Sequence, residues 1–329
     1  MRPGVLPALV MVILVTALIA GCGQAAYTGK PETVRLGIYK GELSALFMIA
    51  QAEQYYERYG VDVRMKFYQA GALALQGLID GEVDMATAAE FPFVSQSFTK
   101  KDLRIVASTS TSDTFRLVGR VDRGVRGVAG LVGKRIGITA GTQGEYFLGI
   151  ALTLNDVPHS EVTEIDMNPS DLEKALADGR VDAVVAFDPV AYQLHKDIPG
   201  TVDVSIQGGQ EFYWLLLSKQ PFLSAHPAAA ERMVQALVNA QEFLDENPAR
   251  AKAIVRQNLD LSRAYMDYVW KFAHFDVALE QPMVLALETE AGWAVENHLY
   301  GAVAVPNYLD FIYFDALEKV NPGAVTIIH

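Results

Sequence analysis

Leu78-Ile79-Asp80-Gly81-Glu82-Val83-Asp84 and Leu176-Ala177-Asp178-Gly179-Arg180-Val181-Asp182 are the two stretches that decide the fold. They lie 98 residues apart, and each connects a helical segment to an apolar strand through an Asp-Gly turn. An acid and a proline follow each strand, as Glu90-Phe91-Pro92 in the first copy and Asp188-Pro189 in the second. We therefore predict two units of one architecture.

The segments around both copies alternate between strand and helix. The predicted strands are 34–39, 61–67, 83–86, 103–108, 134–139, 162–167 and 181–187. Helical spacing of apolar residues predicts helices at 44–59, 72–79, 142–154 and 170–177. This alternation is typical of parallel βαβ units. An apolar strand at 212–218 follows, and then helices dominate, beginning at Pro227.

Composition excludes several classes of protein. The 329 residues suggest two domains, and the net charge of −12 disfavours nucleic-acid binding. A single cysteine permits neither an internal disulfide nor a zinc site with several cysteines, and the six histidines are scattered. These counts disfavour a metal site. No phosphate-binding glycine motif is present, which argues against nucleotide binding, and we expect no cofactor.

The N-terminus has the features of an export signal. Arg2 precedes a stretch of apolar residues, 5–20, that is short for a membrane-spanning helix. The following Leu18-Ile19-Ala20-Gly21-Cys22 resembles a bacterial lipobox, which implies cleavage before Cys22 and lipidation of its sulfur. An uncleaved anchor helix is the alternative. In both cases we expect an exported body held at a membrane, with residues 1–21 as signal peptide and 22–32 as a tether.

Several motifs in order carry a family resemblance. They are AQAEQYYERYGVDV from Ala50, GALALQGLIDGEVDMA from Gly71, LVGKRIGITAGTQGEYFL from Leu131, DLEKALADGRVDAVVAFDPVAY from Asp171 and LLLSKQPFLSAHPAAAERMVQAL from Leu215. Each is weak alone, but together they resemble the solute-binding proteins of the nitrate/sulfonate/taurine ABC importers, which include thiamine-precursor binders. The resemblance spans about residues 33–260.

The resemblance implies an α/β fold of the periplasmic-binding-protein kind, type II-like. Each of its two lobes is a mostly parallel sheet with flanking helices, and a two-stranded hinge joins them. By similarity, lobe 1 would comprise residues 33–113 and 218–329, and lobe 2 residues 114–217. The hinge would cross at 112–116 and again at 213–217.

Ligands of open α/β sheets bind beyond the carboxyl ends of the strands, and this rule selects candidate residues without the resemblance. Gly141-Thr142-Gln143 opens a helix whose N–H groups suit an anion, although Thr142 also fits an ordinary helix cap. The aromatic candidates for the wall of the cleft are Tyr146, Phe147, Phe187, Tyr213 and Trp214. The simpler interpretation places about half of them in the hydrophobic core. The predicted ligand-binding residues are Glu42, Ser44, Gly71, Glu90, Phe91, Gly141, Thr142, Gln143, Tyr146, Asp188 and Trp214.

Three of these candidates are acids: Glu42, Glu90 and Asp188. Loop acids are often merely solvated. If these acids face the cleft, they favour a solute with an amine over a bare anion, such as taurine or an aminopyrimidine. We expect Glu90 and Asp188 to enter the cleft from opposite lobes.

The favoured hypothesis is a lipid-anchored, monomeric receptor that captures a small organic solute and passes it to an ABC permease. It is not an enzyme, because no nucleophile motif is present. The alternatives are an enzyme on the same fold, resembling pyrimidine synthases or menaquinone-pathway enzymes, and a sensor subunit. The pyrimidine synthases carry a cysteine-rich motif that this chain lacks. The sequence leaves open the identity of the solute.

Overall fold

The structure is a computed structural model that describes residues 27–301 and 303–329. The predicted signal peptide and Cys22 lie outside the described residues. Tyr27 already belongs to the folded body, because its N–H donates to the Arg58 carbonyl at 2.9 Å and its ring lies under the Arg232 guanidinium. Among the described residues, no helix has the length and apolar character needed to cross a bilayer.

The first run of the chain alternates between strand and helix and includes one helix, at 90–97, that the sequence did not predict. Its strands are β1 (Glu32–Tyr39), β2 (Val61–Tyr68), β3 (Met85–Ala89) and β4 (Leu103–Ser112). Its helices are α1 (Ala45–Ala52), α2 (Tyr55–Arg58), α3 (Gly71–Ile79) and α4 (Glu90–Ser97). The single helix predicted over 44–59 is wrong, because Gln54 has a left-handed backbone (φ 57°) that separates α1 from α2.

The second run repeats this pattern. Its strands are β5 (Phe115–Arg120), β6 (Arg135–Ile138), β7 (Thr163–Asp166), β8 (Ala183–Phe187) and β9 (Thr201–Ser205). Its helices are α5 (Gln143–Leu154), α6 (Pro169–Ala177) and α7 (Val190–Asp197).

The chain then returns to the first unit. The last strands are β10 (Phe212–Lys219) and β11 (Ala273–His274). The helices are α8 (Gln220–Ala225), α9 (Pro227–Glu246), α10 (Pro248–Asn258), α11 (Arg263–Val269), α12 (Gln281–Glu296) and α13 (Asp315–Val320). The predicted stop at Asn247-Pro248 is confirmed as the junction of α9 and α10.

Two sheets with flanking helices form in the described part of the chain. One has the order β11-β4-β10-β3-β1-β2 and the other the order β7-β6-β8-β5-β9. In each sheet three neighbouring strands are parallel (β2-β1-β3 and β7-β6-β8), and the next strand is antiparallel. We name the unit of the first sheet lobe 1 and that of the second sheet lobe 2. The predicted α/β fold class is confirmed.

The two copies of the decisive stretch have the same structural role. In lobe 1, the Asp84 carboxylate accepts from the backbone N–H and the guanidinium of Arg35, at 2.8 Å and 3.0 Å. In lobe 2, Asp182 accepts from the same groups of Arg135, at 3.0 Å and 3.3 Å. Each Asp thus ties the turn before one strand to the parallel strand beside it.

The chain crosses between the sheets twice. The first crossing is Asp113–Thr114, within the predicted 112–116. The second lies between Ser205 and Phe212, earlier than the predicted 213–217, because β10 is hydrogen-bonded between β3 and β4 of lobe 1. Gln207 joins the two crossings: it accepts from the Phe115 N–H at 2.8 Å and donates to the Ser112 carbonyl at 3.1 Å.

Candidate functional site

A cavity lies between the lobes, at the carboxyl ends of parallel strands of both sheets. Lobe 1 and lobe 2 both contribute to its wall. The lining residues are Tyr39, Leu43, Ala70, Gly71, Ala72, Ala89, Pro92, Thr114, Phe115, Thr142, Gln143, Phe187, Asp188, Phe212 and Trp214. This is the position that the topology of open α/β sheets assigns to a ligand.

Aromatic rings form much of this wall. The Tyr39 ring packs edge-on against both Phe187 and Trp214, with centroids 5.6 Å apart in each case. Phe115 contacts Phe187 at 5.5 Å and Phe212 at 5.2 Å. The Trp214 indole N–H is buried and has no hydrogen-bond partner. The cavity therefore offers flat apolar surfaces and one unused donor from a residue of its wall.

Gly71 keeps the cavity open beside Trp214. A Cβ at this position would lie 2.6 Å from the Trp214 ring, 2.8 Å from the Ala88 Cα and 3.2 Å from the Thr87 carbonyl oxygen. Any side chain would therefore displace the indole or the strand. The requirement for glycine is steric, because it comes from the close approach of the indole and β3.

Helix N-termini from both lobes reach the cavity. α3 begins at Gly71 in lobe 1, and α5 begins at Gln143 in lobe 2, directly after Thr142. The first N–H groups of a helix have no partner within it and carry the positive end of its dipole. No Lys or Arg is among the described lining residues. An anionic group in the cavity would therefore be held mainly by backbone N–H groups.

A buried pair of acids, Glu42 and Asp188, lies beside the cavity. Glu42 Oε2 accepts from the Tyr265 hydroxyl at 2.5 Å, and Asp188 Oδ1 accepts from the Tyr192 N–H at 2.9 Å. Burial raises the pKa of Glu42 to about 7. Burial and the negative charge of Glu42 raise the pKa of Asp188 well above its ordinary value. Glu42 Oε1 and Asp188 Oδ2 have no hydrogen-bond partner.

A second buried pair of acids, Glu90 and Glu290, lies within lobe 1. Glu90 accepts from the Tyr213 N–H, and Glu290 accepts from the Gln143 carboxamide of lobe 2. Burial raises the pKa of Glu90 to about 8. Burial and the charge of Glu90 raise the pKa of Glu290 well above its ordinary value. This pair is a property of the tertiary structure, since 200 residues separate its members.

Hydrogen bonds connect the lobes across the cavity. The Tyr39 hydroxyl of lobe 1 donates to the Asp188 carbonyl of lobe 2 at 2.6 Å. Gln143 of lobe 2 accepts from the Phe91 N–H of lobe 1 at 2.7 Å and donates to Glu290. Both polar ends of the Gln143 side chain are therefore engaged in joining the lobes.

Aromatic contacts reinforce this junction. Tyr146 of α5 stacks on Phe91 at 5.8 Å and meets the Trp293 ring of α12 edge-on at 5.4 Å. Tyr192 of α7 in lobe 2 also contacts Tyr265 of α11, at 5.4 Å between ring centroids. The structure is thus a closed arrangement of the two lobes.

The predicted ligand-binding residues occupy three kinds of position. Gly71, Thr142, Gln143, Asp188 and Trp214 line the cavity. The others lie behind its wall or in the contact between the lobes: Glu42, Ser44, Glu90, Phe91, Gly141 and Tyr146.

Two of these residues form hydrogen bonds to groups close to them in the sequence. The Ser44 hydroxyl donates to the Tyr39 carbonyl at 2.6 Å, and the Gly141 N–H donates to Glu145 at 2.7 Å. The Gly141 N–H is therefore not available to an anion. The expected pairing of Asp188 with Glu90 is replaced by pairing with Glu42, because Glu90 faces Tyr213 and Glu290 instead.

Sequence reasoning missed Tyr39, Glu290 and Tyr265. Tyr39 ends β1, so the strand-end rule could have included it. Glu290 and Tyr265 lie in helices far along the chain. The sequence around each residue has the pattern of an ordinary amphipathic helix and carries no signal of a site.

The profile of the NMT1/THI5-like family matches residues 43–251. The chain belongs to this family. A Brucella abortus (strain 2308) protein named as a binding protein is 24% identical over 228 residues, which cover 68% of this chain and 70% of the relative. A Bacillus subtilis (strain 168) protein named as an aliphatic sulfonates-binding protein is 23% identical over 188 residues, which cover 55% of this chain and 56% of the relative.

This member of the NMT1/THI5-like family also matches solved structures. The alkanesulfonate-binding protein SsuA from Xanthomonas axonopodis pv. citri, bound to MOPS, superposes with a TM-score of 0.76 at 20% identity, covering 87% of this chain and 99% of that chain. The predicted binding-protein fold is confirmed. The curated relatives are binding proteins rather than enzymes, in agreement with the sequence analysis.

Proposed function

We propose that this protein is the exported, lipid-anchored receptor of an ABC importer, and that it captures a small organic solute between its lobes. The observation that carries the proposal is the cavity itself. Its wall takes side chains from both lobes, and hydrogen bonds across it join the lobes. A ligand that contacts both lobes shifts the population of conformations toward closure. The closed form would then be the one that a permease recognises.

The solute that we propose is a taurine- or alkanesulfonate-like compound or an aminopyrimidine-like one, and the chemistry of the wall supports this proposal. The N-termini of α3 and α5 suit a sulfonate, and the printed names of similar proteins include sulfonate binders. The rings of Tyr39, Phe187 and Trp214 suit a flat heterocycle or a cationic nitrogen. The Asp188 carboxyl, which lines the cavity, favours an amine in either case.

A thermal-shift screen tests the capture of a solute. The compounds are taurine, isethionate, longer alkanesulfonates, 4-aminopyrimidines and nitrate. A true ligand at 100 times its Kd stabilises the protein by about 2.7 kcal/mol. The matched control is Gly71→Val, which pushes a side chain against Trp214 and should abolish the response. Equal shifts for the control and the unaltered chain, or no shift with any compound, would contradict the proposal.

The lipid anchor rests on the sequence around Cys22. A diacylglyceryl group joined to the Cys22 sulfur by one thioether bond would carry two acyl chains, which hold a protein at a membrane far more firmly than one chain does. We expect Cys22→Ser to prevent acylation and to leave the body folded. Metabolic labelling with a radioactive fatty acid, together with membrane fractionation, checks this expectation. Undiminished labelling of Cys22→Ser would contradict the lipoprotein assignment.

A further inference from the structure

Glu42 and Asp188 bring two carboxyl groups together from opposite lobes. Glu42 follows β1 in lobe 1, and Asp188 follows β8 in lobe 2. Their exposed fractions are 0% and 1%. One oxygen of each, Glu42 Oε1 and Asp188 Oδ2, is buried without a hydrogen-bond partner. Asp188 also lines the solute cavity, whereas Glu42 does not belong to the lining, so the pair meets the cavity through Asp188.

The neighbours of the pair do not neutralise it. The Tyr265 hydroxyl donates to Glu42, and the Tyr39 hydroxyl donates to the Asp188 carbonyl, but both tyrosines are neutral donors. The cation that acts on Asp188 is Arg116, which lowers the pKa of that group. Arg116 is already shared between Asp113, at 2.8 Å, and Asp203, at 3.8 Å. With Glu42 and Asp188 both ionised, the cluster would carry an excess of buried negative charge.

Two buried carboxylates are costly without a compensating positive charge, and each becomes inexpensive again when water reaches it. Because Glu42 and Asp188 belong to different lobes, opening the cleft would separate and hydrate them. Closure must therefore be accompanied by the uptake of a positive charge. Proton uptake is consistent with the direction of both pKa shifts.

We propose that the closed cleft contains a site for one positive charge between Glu42 and Asp188, filled by a cationic nitrogen of the bound solute and, when no solute is present, by a proton. The inference rests on the proposed solute-binding function and specifies the ligand class. A solute with an ammonium or protonated amine is selected over an isosteric neutral one. Nitrogen and proton compete, so the affinity for a cationic solute rises as pH increases through the titration of the pair.

Without solute, the same proton on the pair determines how pH affects the closed form. At low pH the pair holds a proton, and the lobes close. As pH rises through about 7, the value to which burial raises the pKa of Glu42, Glu42 loses its proton and the closed form loses its advantage. The other titratable groups that face the pair are Tyr39, Tyr265, Tyr268, Asp203 and Arg116. Burial raises the pKa of each of the three tyrosines, so they stay neutral in this range.

The test measures the distance between the lobes in the purified exported protein in detergent. Spin labels on Gln76→Cys in α3 and Lys174→Cys in α6 report this distance from pH 5 to pH 9. When Glu42 and Asp188 are both unaltered, we expect the distance between the labels to lengthen as pH rises. Glu42→Gln should keep the short distance throughout, because it removes one ionisable group. The exposed Glu57→Gln is the matched control and should behave as the unaltered chain.

The solute arm uses taurine and isethionate at pH 8, which differ by an ammonium in place of a hydroxyl. Taurine should restore the short distance at a concentration at least tenfold lower than isethionate, and Glu42→Gln should remove this preference. A distance independent of pH, or equal closure by the two compounds, overturns the inference. A distance that depends on both pH and Glu42, with closure by neither compound, supports the charge site and counts instead against the sulfonate class in the proposed function.

Discussion

Glu90→Gln should change how the stability of the fold depends on pH. Glu90 is completely buried at the start of α4, where one carboxylate oxygen accepts from the Tyr213 N–H and the other has no partner. Burial raises the pKa of this carboxyl from 4.5 to about 8. Gln can keep the bond to Tyr213 and cannot ionise. The substitution therefore removes the titration with little change in size.

The magnitude follows from linkage. The folded state binds the Glu90 proton more tightly than the unfolded chain, so its stabilising effect is complete below pH 4.5 and is lost as pH rises through about 8. Each pH unit between the two values corresponds to about 1.4 kcal/mol. The unaltered protein should thus lose on the order of 3 kcal/mol of unfolding free energy between pH 5 and pH 8 as Glu90 ionises beside Glu290.

Urea denaturation at pH 5, 6, 7, 8 and 9 measures this dependence. Glu90→Gln should give a flatter curve and should exceed the unaltered chain in stability at pH 8. Glu288→Gln is the matched control, because it removes an exposed acid of α12 and should run parallel to the unaltered chain. Parallel curves for Glu90→Gln and the unaltered chain would refute the reasoning, since they would mean that Glu90 is ionised in the fold at no cost.

The remaining predictions concern the cleft and the hinge. Gly71→Ala places a Cβ 2.6 Å from Trp214. Overpacking of this kind lowers the stability of a fold by about 1–3 kcal/mol. Calorimetric titration of this variant should also show weaker solute binding. Gln207→Leu leaves Phe115 N–H without its acceptor, so the melting curve should show a loss of about 1–3 kcal/mol. Asp188→Asn should weaken binding of an amine solute about ten- to a hundredfold while stability holds or rises; unchanged titration with a lower melting temperature would assign Asp188 a purely local role.

The sequence by itself determined the architecture of the two lobes. Alternating apolar residues and Asp-Gly turns are local signals, because the strand and helix periods depend on neighbouring residues. The repeated stretches at Leu78 and Leu176 therefore predicted equivalent units, and Asp84 and Asp182 do tie equivalent strands.

Elements whose stability comes from distant contacts escaped prediction. α4 has a proline at its third position and an apolar sequence that resembles a strand end. β5 carries the buried Arg116 and lies between β8 and β9, which pair with it only after the chain has folded back. Neither element has a clear local period, so pattern alone did not reveal them.

For the site, the sequence determined which loops lie at the cleft, and the tertiary structure decided which contacts each side chain makes. The strand-end rule selected Gln143 and Asp188, since parallel strands end at one edge of a sheet. It could not show that Gln143 joins Phe91 to Glu290, or that Asp188 meets Glu42 rather than Glu90. Those partners come from the other lobe or from α12, and only the contact between the two lobes sets which groups are buried together.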